Sequence, residues 1–354
     1  MRIAPDELNK LDQHAESLAR SLYNNGIDFE IKTVVIRQND SKQAHWVRFK
    51  VNGHAFLYKS GVLLDSDKGS RGTLGRNINY LSSLLVADKH LTKEHLRANN
   101  INVPRGEKFR RRNLKQALDY FEQRAYPLCV KPNNGRMGHC VTSSIVSFEQ
   151  YKRALDYVAE NYVNIVIEEH VEGEHFRFFY VEPNVIAIRQ GIPLSVVGDG
   201  HRSISTLLDE KNQQRRKRNL VTHPTVEIDS HINHFLEAQG YSPSSVPAKN
   251  SRVFLRSSAG HSEAADTILI APEEIHPDYL EIVAKACKSV PGLYYSGVDI
   301  VIKDKSQPAS DDNYWLIELN ANPGLSPYYY PWVGDKVDVC KNLINLISQK
   351  YPFS

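Results

Sequence analysis

The sequence predicts a mixed α+β chain, and three observations carry that expectation. Leu8, Leu11, Ala15, Leu18 and Leu22 recur at alternating three- and four-residue spacing, the period of an amphipathic helix. His45 to Val51 and His54 to Lys59 flank Asn52-Gly53, a dipeptide whose backbone preference suits a tight hairpin. Near the other end, Gly297 to Ile302 and Tyr314 to Asn320 are apolar runs of strand length, each with an acid inside it, Asp299 and Glu318.

Taken in order, a helix from about Asp6 to Asn24 ends at Gly26, and Phe29 to Ile36 reads as a strand ahead of the hairpin. Residues 1–86 thus form a small α/β N-terminal domain. The stretch Asp67 to Gly75 lacks the Gly-Lys-Ser/Thr of a phosphate loop and the spacing of a dinucleotide turn, so it is expected to be a flexible connector. Asp88 caps a helix reaching Asn99, and Lys89 and Lys93 share one of its faces, as ordinary surface lysines also do. Ile101 to Gly106 returns in extended form, and a second helix spans about Leu114 to Arg124. The strand Tyr126 to Pro132 ends on Lys131 and runs into a loop, Asn133 to Val141, that contains Gly135 and Gly138. Ser147-Phe148-Glu149-Gln150 is a capping-box pattern that starts a helix reaching Asn161, and Ile165 onward is a strand entering the acidic turn Glu172 to Glu174.

Composition narrows the function. Over 354 residues, Lys+Arg of 44 against Asp+Glu of 41 gives a formal charge of +3, too close to neutral for nucleic acid or membrane as a bulk partner. The basic runs Arg110 to Arg112 and Arg215 to Arg218 are expected to be solvated loops, although the second can also touch an anionic substrate. His231 and His234 are expected to be surface histidines rather than metal ligands. Cys129, Cys140, Cys287 and Cys340 form no Cys-x-x-Cys pair. No apolar run approaches the roughly 18 residues of a membrane span, and Asp6, Glu7 and Asp12 stand where a secretory signal would be basic. A soluble cytoplasmic protein is expected.

Two places carry chemistry. Glu318 and Asn320 are two residues apart on a strand and so face one side, where with Asp299 they offer three oxygens to a hard cation such as Mg2+. The alternative is a strand edge with solvated polar residues. Lys131 followed by a glycine loop suits a phosphate, since the ammonium supplies charge and glycine lets main-chain N–H groups approach an anion. A plain hairpin is the alternative there. An acidic strand exit near a phosphate site fits the base and ribose of a nucleotide, whose amino and hydroxyl hydrogens need acceptors.

Together these motifs resemble the ATP-grasp ligases, in particular the ATP-grasp part of cyanophycin synthetase and of the bifunctional glutathione synthetases. The resemblance runs from about Ala87 to Lys350. It is carried in order by Asp88 to Lys93, Ile101 to Gly106, Val130-Lys131-Pro132, Ile167 to Val171, Val197 to Gly200, Val253 to Arg256, Gly297-Val298-Asp299 and Glu318 to Gly324. It implies an ATP-grasp fold, two α+β subdomains clasping ATP, with residues 87–172 as the first half and 173–354 as the C-terminal subdomain. It further implies that Lys89 and Lys131 hold phosphates under a flap from Gly135 to Gly138, and that Glu168, Glu169 and Val171 form the adenine hinge. Asp299, Glu318 and Asn320 would be magnesium ligands, usually for two ions, with Mn2+ as an alternative. Arg177 and Arg256 would hold the reacting carboxylate or acyl phosphate, and the Gly324 amide an oxyanion.

Departures from the pattern matter. Glu174 or His175 stands where an acid commonly meets the ribose. Gly297 replaces the arginine of D-alanine–D-alanine ligases, and Ser257 to Ser262 intervenes after Arg256 where relatives have asparagine and glycines. The resemblance implies a stand-alone, homo-oligomeric ligase. It would join a carboxylate to an amine, amino acid or short peptide, with loops 198–219, 257–266 and 326–332 setting the substrates. The competing reading is a nucleotide-binding regulatory protein without turnover.

Overall fold

The computed structural model describes residues 7–35, 43–124, 127–135, 138–218, 222–256 and 264–353. Helix α1 (Gln13–Asn24) starts where Asp12 accepts hydrogen bonds from the His14 and Ala15 amides; the expected start at Asp6 lies outside the described residues. Strands β1 (Phe29–Val35), β2 (Gln43–Val51), β3 (His54–Lys59), β4 (Val62–Asp65) and β5 (Arg76–Asn77) follow as an antiparallel meander. Asn52 and Gly53 both have positive φ, 51° and 88°, the left-handed pair that a type I′ hairpin turn requires.

This N-terminal unit does not close on its own core. Leu18, Leu22, Val47 and Phe56 share one buried cluster with Phe179, Tyr295, Leu343 and Ile347 from the C-terminal part of the chain.

Helices α2 (Tyr80–Val86) and α3 (Lys89–Ala98) come next, and Asp88 caps the second through the Leu91 amide. A four-stranded antiparallel sheet in the order β6-β9-β7-β8 is built from β6 (Gly106–Arg110), β7 (Leu128–Pro132), β8 (Thr142–Ile145) and β9 (Asn164–Glu169). Helices α4 (Leu114–Glu122) and α5 (Phe148–Asn161) pack on it through Ala117, Tyr151, Leu155 and Val158. Ser147 caps α5 through the Gln150 amide, and Gln150 Oε1 accepts from the Val146 amide, one residue ahead of the cap.

The larger sheet holds β10 (Glu174–Val181) and β11 (Asn184–Ile192). A short ribbon, β12 (Ser195–Val197) with β13 (Arg252–Phe254), encloses α6 (Ile204–Arg218) and α7 (Ser230–Ala238). Strand β14 (Asp266–Ile270), helix α8 (Asp278–Ser289), β15 (Tyr295–Ile302), β16 (Tyr314–Asn320), α9 (Ser326–Tyr329) and α10 (Val339–Lys350) complete the chain. The sheet order is β14-β11-β10-β15-β16, all antiparallel. Along β10 the residues alternate: Phe176, Phe178 and Tyr180 enter the cluster under α8, while Phe179 enters the cluster shared with the N-terminal unit. Arg177 lies on that second face.

One expectation about the basic runs changes. Arg110 to Arg112 is exposed, but Arg215 to Arg218 forms the last turn of α6 rather than a loop, and Arg215 is only 2 % exposed. Its guanidinium donates to Asp266 at 2.8 Å, to the Ala264 carbonyl at 2.9 Å and to the Pro224 carbonyl at 2.6 Å through its terminal nitrogens, while Nε is buried without a partner.

Candidate active site between the two sheets

Two charged clusters face each other, and helix α3 joins them. The first lies on the four-stranded sheet. Lys131 leaves β7, Glu168 ends the buried part of β9, and their main chains are held by antiparallel pairing of the two strands. Lys93, on the first turns of α3, completes the group: both ammonium groups bond the Glu168 carboxylate, Lys131 at 2.5 Å to Oε1 and Lys93 to Oε2. All three are sealed, at 4 %, 5 % and 3 % exposure for Lys93, Lys131 and Glu168. Burial alone would raise the Glu168 carboxyl, but Lys131 and Lys93 hold it below the usual carboxylate range. Burial brings the Lys93 ammonium down to about 8 against the attraction of Glu168.

The second cluster lies on the large sheet. Register places Arg189, Arg177, Asp299 and Glu318 directly opposite one another in turn, one from each of β11, β10, β15 and β16. Arg177 donates through Nε and Nη2 to both oxygens of Asp299. Glu318 Oε2 lies 3.1 Å from Lys89 Nζ. Asn320 Nδ2 donates to Glu318 Oε1 at 2.9 Å and contacts Asp299 Oδ2 at 3.3 Å. Burial would raise Glu318, yet Lys89 and Arg177 bring its carboxyl down to about 2.

Lys89 links the halves. Its ammonium also donates to the Gly135 carbonyl at 3.0 Å, at the start of the glycine loop. So two lysines four residues apart on α3 reach different sheets, Lys93 the small one and Lys89 the large one. Of the loop itself, Arg136 and Met137 lie outside the described residues, and Gly138 opens a turn closed by the Val141 amide at 3.2 Å.

The hinge residues are placed as follows. The Glu169 amide donates to the Arg105 carbonyl at 2.8 Å and its carboxylate accepts from the Arg105 amide at 2.9 Å, so Glu169 is engaged with the preceding strand. Val171, just beyond, has no hydrogen bond on its main chain among the described residues, leaving an amide and a carbonyl for a base edge. Glu174 and His175 open β10 as exposed residues, with His175 paired opposite Val301. Arg256 is paired with Asp229 at 2.6 Å, at the N-terminus of α7. Ser257 to Ser262 falls outside the described residues.

Gly324 sits on the turn after β16 with His14 of α1 against it: a Cβ there would lie 2.9 Å from His14 Cε1. At Gly297 a Cβ would come within 3.0 Å of Pro323 Cβ and 3.5 Å of Arg177 Cδ. Arg177 therefore runs across the space that a side chain at position 297 would fill.

The donors of the second cluster suit a hard divalent cation. They are oxygens only, and each carboxylate is held by a cation, Arg177 or Lys89, that a metal would displace. Turning the Asn320 amide presents its oxygen in place of Nδ2. Among the described residues no group of three His, Cys, Asp or Glu side chains gathers to hold a metal, so this set rests on two carboxylates and an amide.

Two side chains of the site went unassigned in the sequence. Lys93 carried a signal, its shared face with Lys89, but nothing local tells a buried lysine from a surface one. Arg189 carried another, a charge inside the apolar strand Val185 to Ile188, the signal that drew attention to Asp299.

No family model matches the chain. It is 29 % identical over 272 residues to a bifunctional glutathione biosynthesis protein of Clostridium perfringens, covering 76 % of this chain and 35 % of that one. It is 27 % identical over 318 residues to a cyanophycin synthetase of Trichormus variabilis, covering 88 % and 34 %. Among solved structures, a bifunctional glutathione synthetase from Pasteurella multocida superposes with a TM-score of 0.65 at 24 % identity, over 95 % of this chain and 44 % of that one. The chain thus spans about a third of the length of the curated relatives it matches.

Proposed function

We propose that this chain, a homologue of the cyanophycin synthetases and the bifunctional glutathione synthetases with the ATP-grasp fold, is an ATP-dependent carboxylate–amine ligase. Its reaction is ATP plus a carboxylate plus an amine giving an amide, ADP and phosphate, with an amino acid or short peptide as substrate. The observation that carries this reading is the charge of the site. Five cationic side chains, Lys89, Lys93, Lys131, Arg177 and Arg189, meet three carboxylates, Glu168, Asp299 and Glu318, between two sheets.

A surplus of fixed positive charge is what phosphoryl transfer needs, because little covalent chemistry falls to the protein and charge must be neutralised where it develops. A carboxylate is a poor electrophile. Moving the γ-phosphoryl onto one of its oxygens gives an acyl phosphate, from which the amine nitrogen displaces inorganic phosphate and then loses a proton. In this reading Lys89 and Lys131 hold phosphate oxygens, with Lys93 beside Lys131 on the Glu168 carboxylate, and the hinge from Glu168 to Val171 meets adenine. Glu169 keeps the hinge on its strand, and Glu174 or His175 meets the ribose. Arg177 faces the transferring group, the Gly324 amide takes the developing oxyanion, and Arg256 belongs to the substrate side.

Asp299, Glu318 and Asn320 would hold Mg2+, two ions or Mn2+ in its place, which when bound supplies charge neutralisation for the phosphates. Water must be kept from the acyl phosphate, and in this reading the glycine loop and the segment 326–332 supply that cover.

The reading extends to a cytoplasmic homo-oligomer with no nucleic-acid or membrane partner. It is supported by four unpaired, buried cysteines, and no described helix is long and apolar enough to cross a membrane. The test is ADP release from Mg-ATP with pooled amino acids and short peptides, each positive pool then resolved and its product weighed. A product equal to acid plus amine minus water supports the ligase; ATP binding with no pool raising ADP release counts against it.

A further inference from the structure

The row of four charges across the large sheet is unevenly matched. Asp299 has Arg177, and Glu318 has Lys89 and Asn320. Arg189, at the end of the row on β11, makes no ion pair among the described residues, and Tyr328 is its hydrogen-bonding neighbour. Its Nε is sealed from solvent without a partner. The residue as a whole is half-buried.

Directly opposite stands a like charge, Arg177, one strand spacing of roughly 5 Å away. Tyr328, fully buried in α9, lies beside this guanidinium, with its hydroxyl turned to it as the hydrogen-bonding neighbour. Phe179 packs edge-on against the Tyr328 ring at 5.0 Å and fixes it there.

A guanidinium has five donors in a planar fork, and taking it out of water beside a second cation is unfavourable unless an anion completes it. The anion has to come from outside the chain, because the nearest carboxylate, Asp299, is already held by Arg177. A guanidinium fork suits a carboxylate, which it can bind with two parallel bonds.

We infer that Arg189, with the Tyr328 hydroxyl beside it, binds the carboxylate of the acid substrate, next to Arg177 and on the side of the row away from Asp299 and Glu318. This rests on the ligase reading and adds to it the acid's place in the site. Metal carboxylates, Arg177 and Arg189 then succeed one another across the sheet in the order in which the phosphoryl group, its point of transfer and the accepting acid must lie.

The experiment is thermal melting of the full chain, unliganded, with Mg-ATP, and with each of the twenty L-amino acids and their amides. Because an unpaired cation is removed, Arg189→Met is expected to melt higher than wild type when unliganded; a purely structural arginine would give a lower melting temperature and overturn the assignment. Wild type is expected to be stabilised by at least one amino acid but not by its amide, with Arg189→Met losing that response and keeping the one to Mg-ATP. A carboxylate response that survives in both Arg189→Met and Tyr328→Phe, or one absent from wild type, also overturns it. Absence of the Mg-ATP response in wild type would instead strike at the ligase reading. In turnover, Arg189→Met is expected to raise KM for the acid about ten- to hundredfold with KM for ATP unchanged.

Discussion

Arg177 grips both oxygens of Asp299 from the facing position on the neighbouring strand, so the residue expected to help hold a metal already has a cation on it. Lys89 does the same for Glu318. Both carboxylates are thereby paired without a metal, and the fold is expected not to depend on a bound ion. Chelation with EDTA is expected to abolish ADP formation while moving the melting temperature of the nucleotide-free protein by less than about 2 °C. A large fall in melting temperature would mean a structural metal and would sink this account of the pair.

Glu318 tests the same cluster from the other strand. Its carboxylate is the one that Lys89, Asn320 and Arg177 all approach, at 3.1, 2.9 and 3.8 Å. Glu318→Ala is expected to lose at least about a hundredfold in ADP release with a protein that stays folded by circular dichroism. Unchanged turnover would remove Glu318 from the metal site.

Glu168 is a different kind of carboxylate, because both of its partners are as buried as it is. Glu168→Gln leaves Lys93 and Lys131 together without a counter-charge, and a loss of about 3–5 kcal/mol in unfolding free energy is expected from urea titration. The pH dependence follows from the sign of the shift. The Glu168 carboxyl is held below its unfolded value of roughly 4.3, so its contribution is present above that pH and fades as pH falls through the lower, folded value. Wild type is expected to lose stability steeply below about pH 4.3, and Glu168→Gln to show a shallower acid slope. Equal slopes would show that the two lysines do not hold this carboxylate.

Much of this arrangement was legible in the chain because it is local. The Asn52-Gly53 turn, the Asp88 and Ser147 caps and the same-face placement of Glu318 and Asn320 each follow from residues within a few positions of one another. Lys93 and Arg215 were hidden for one shared reason. Each is a cation whose burial depends on a carboxylate far along the chain, Glu168 for one and Asp266 for the other, and helix periodicity cannot report a partner 75 or 51 residues away. Arg189 was hidden because only the register of β10 on β11 sets it beside Arg177. The shared core of α1 and α10 is equally non-local, since nothing in the first 86 residues announces which surface they will cover.

That shared core gives the N-terminal unit a part in the site. His14 lies against Gly324, Asn77 Nδ2 donates to Asn322 Oδ1 at 2.9 Å, and the fully buried Asn79 donates to the Ala321 carbonyl at 2.7 Å. Three contacts from the first 86 residues thus meet the turn that follows β16. Gly324→Ala places a methyl 2.9 Å from His14 Cε1, closer than carbon atoms pack, so the His14 ring, the helix or the turn must move. The substitution is expected to lower ADP release about tenfold or more, since a shift of about an ångström in a positioned group costs that much or more. Adding His14→Ala removes the ring that the methyl meets and is expected to restore most of the lost activity, a coupling of about 0.5–3 kcal/mol in a double-mutant cycle. If the two substitutions simply add, α1 does not press on the turn, and the N-terminal unit serves the fold without setting the geometry of Gly324.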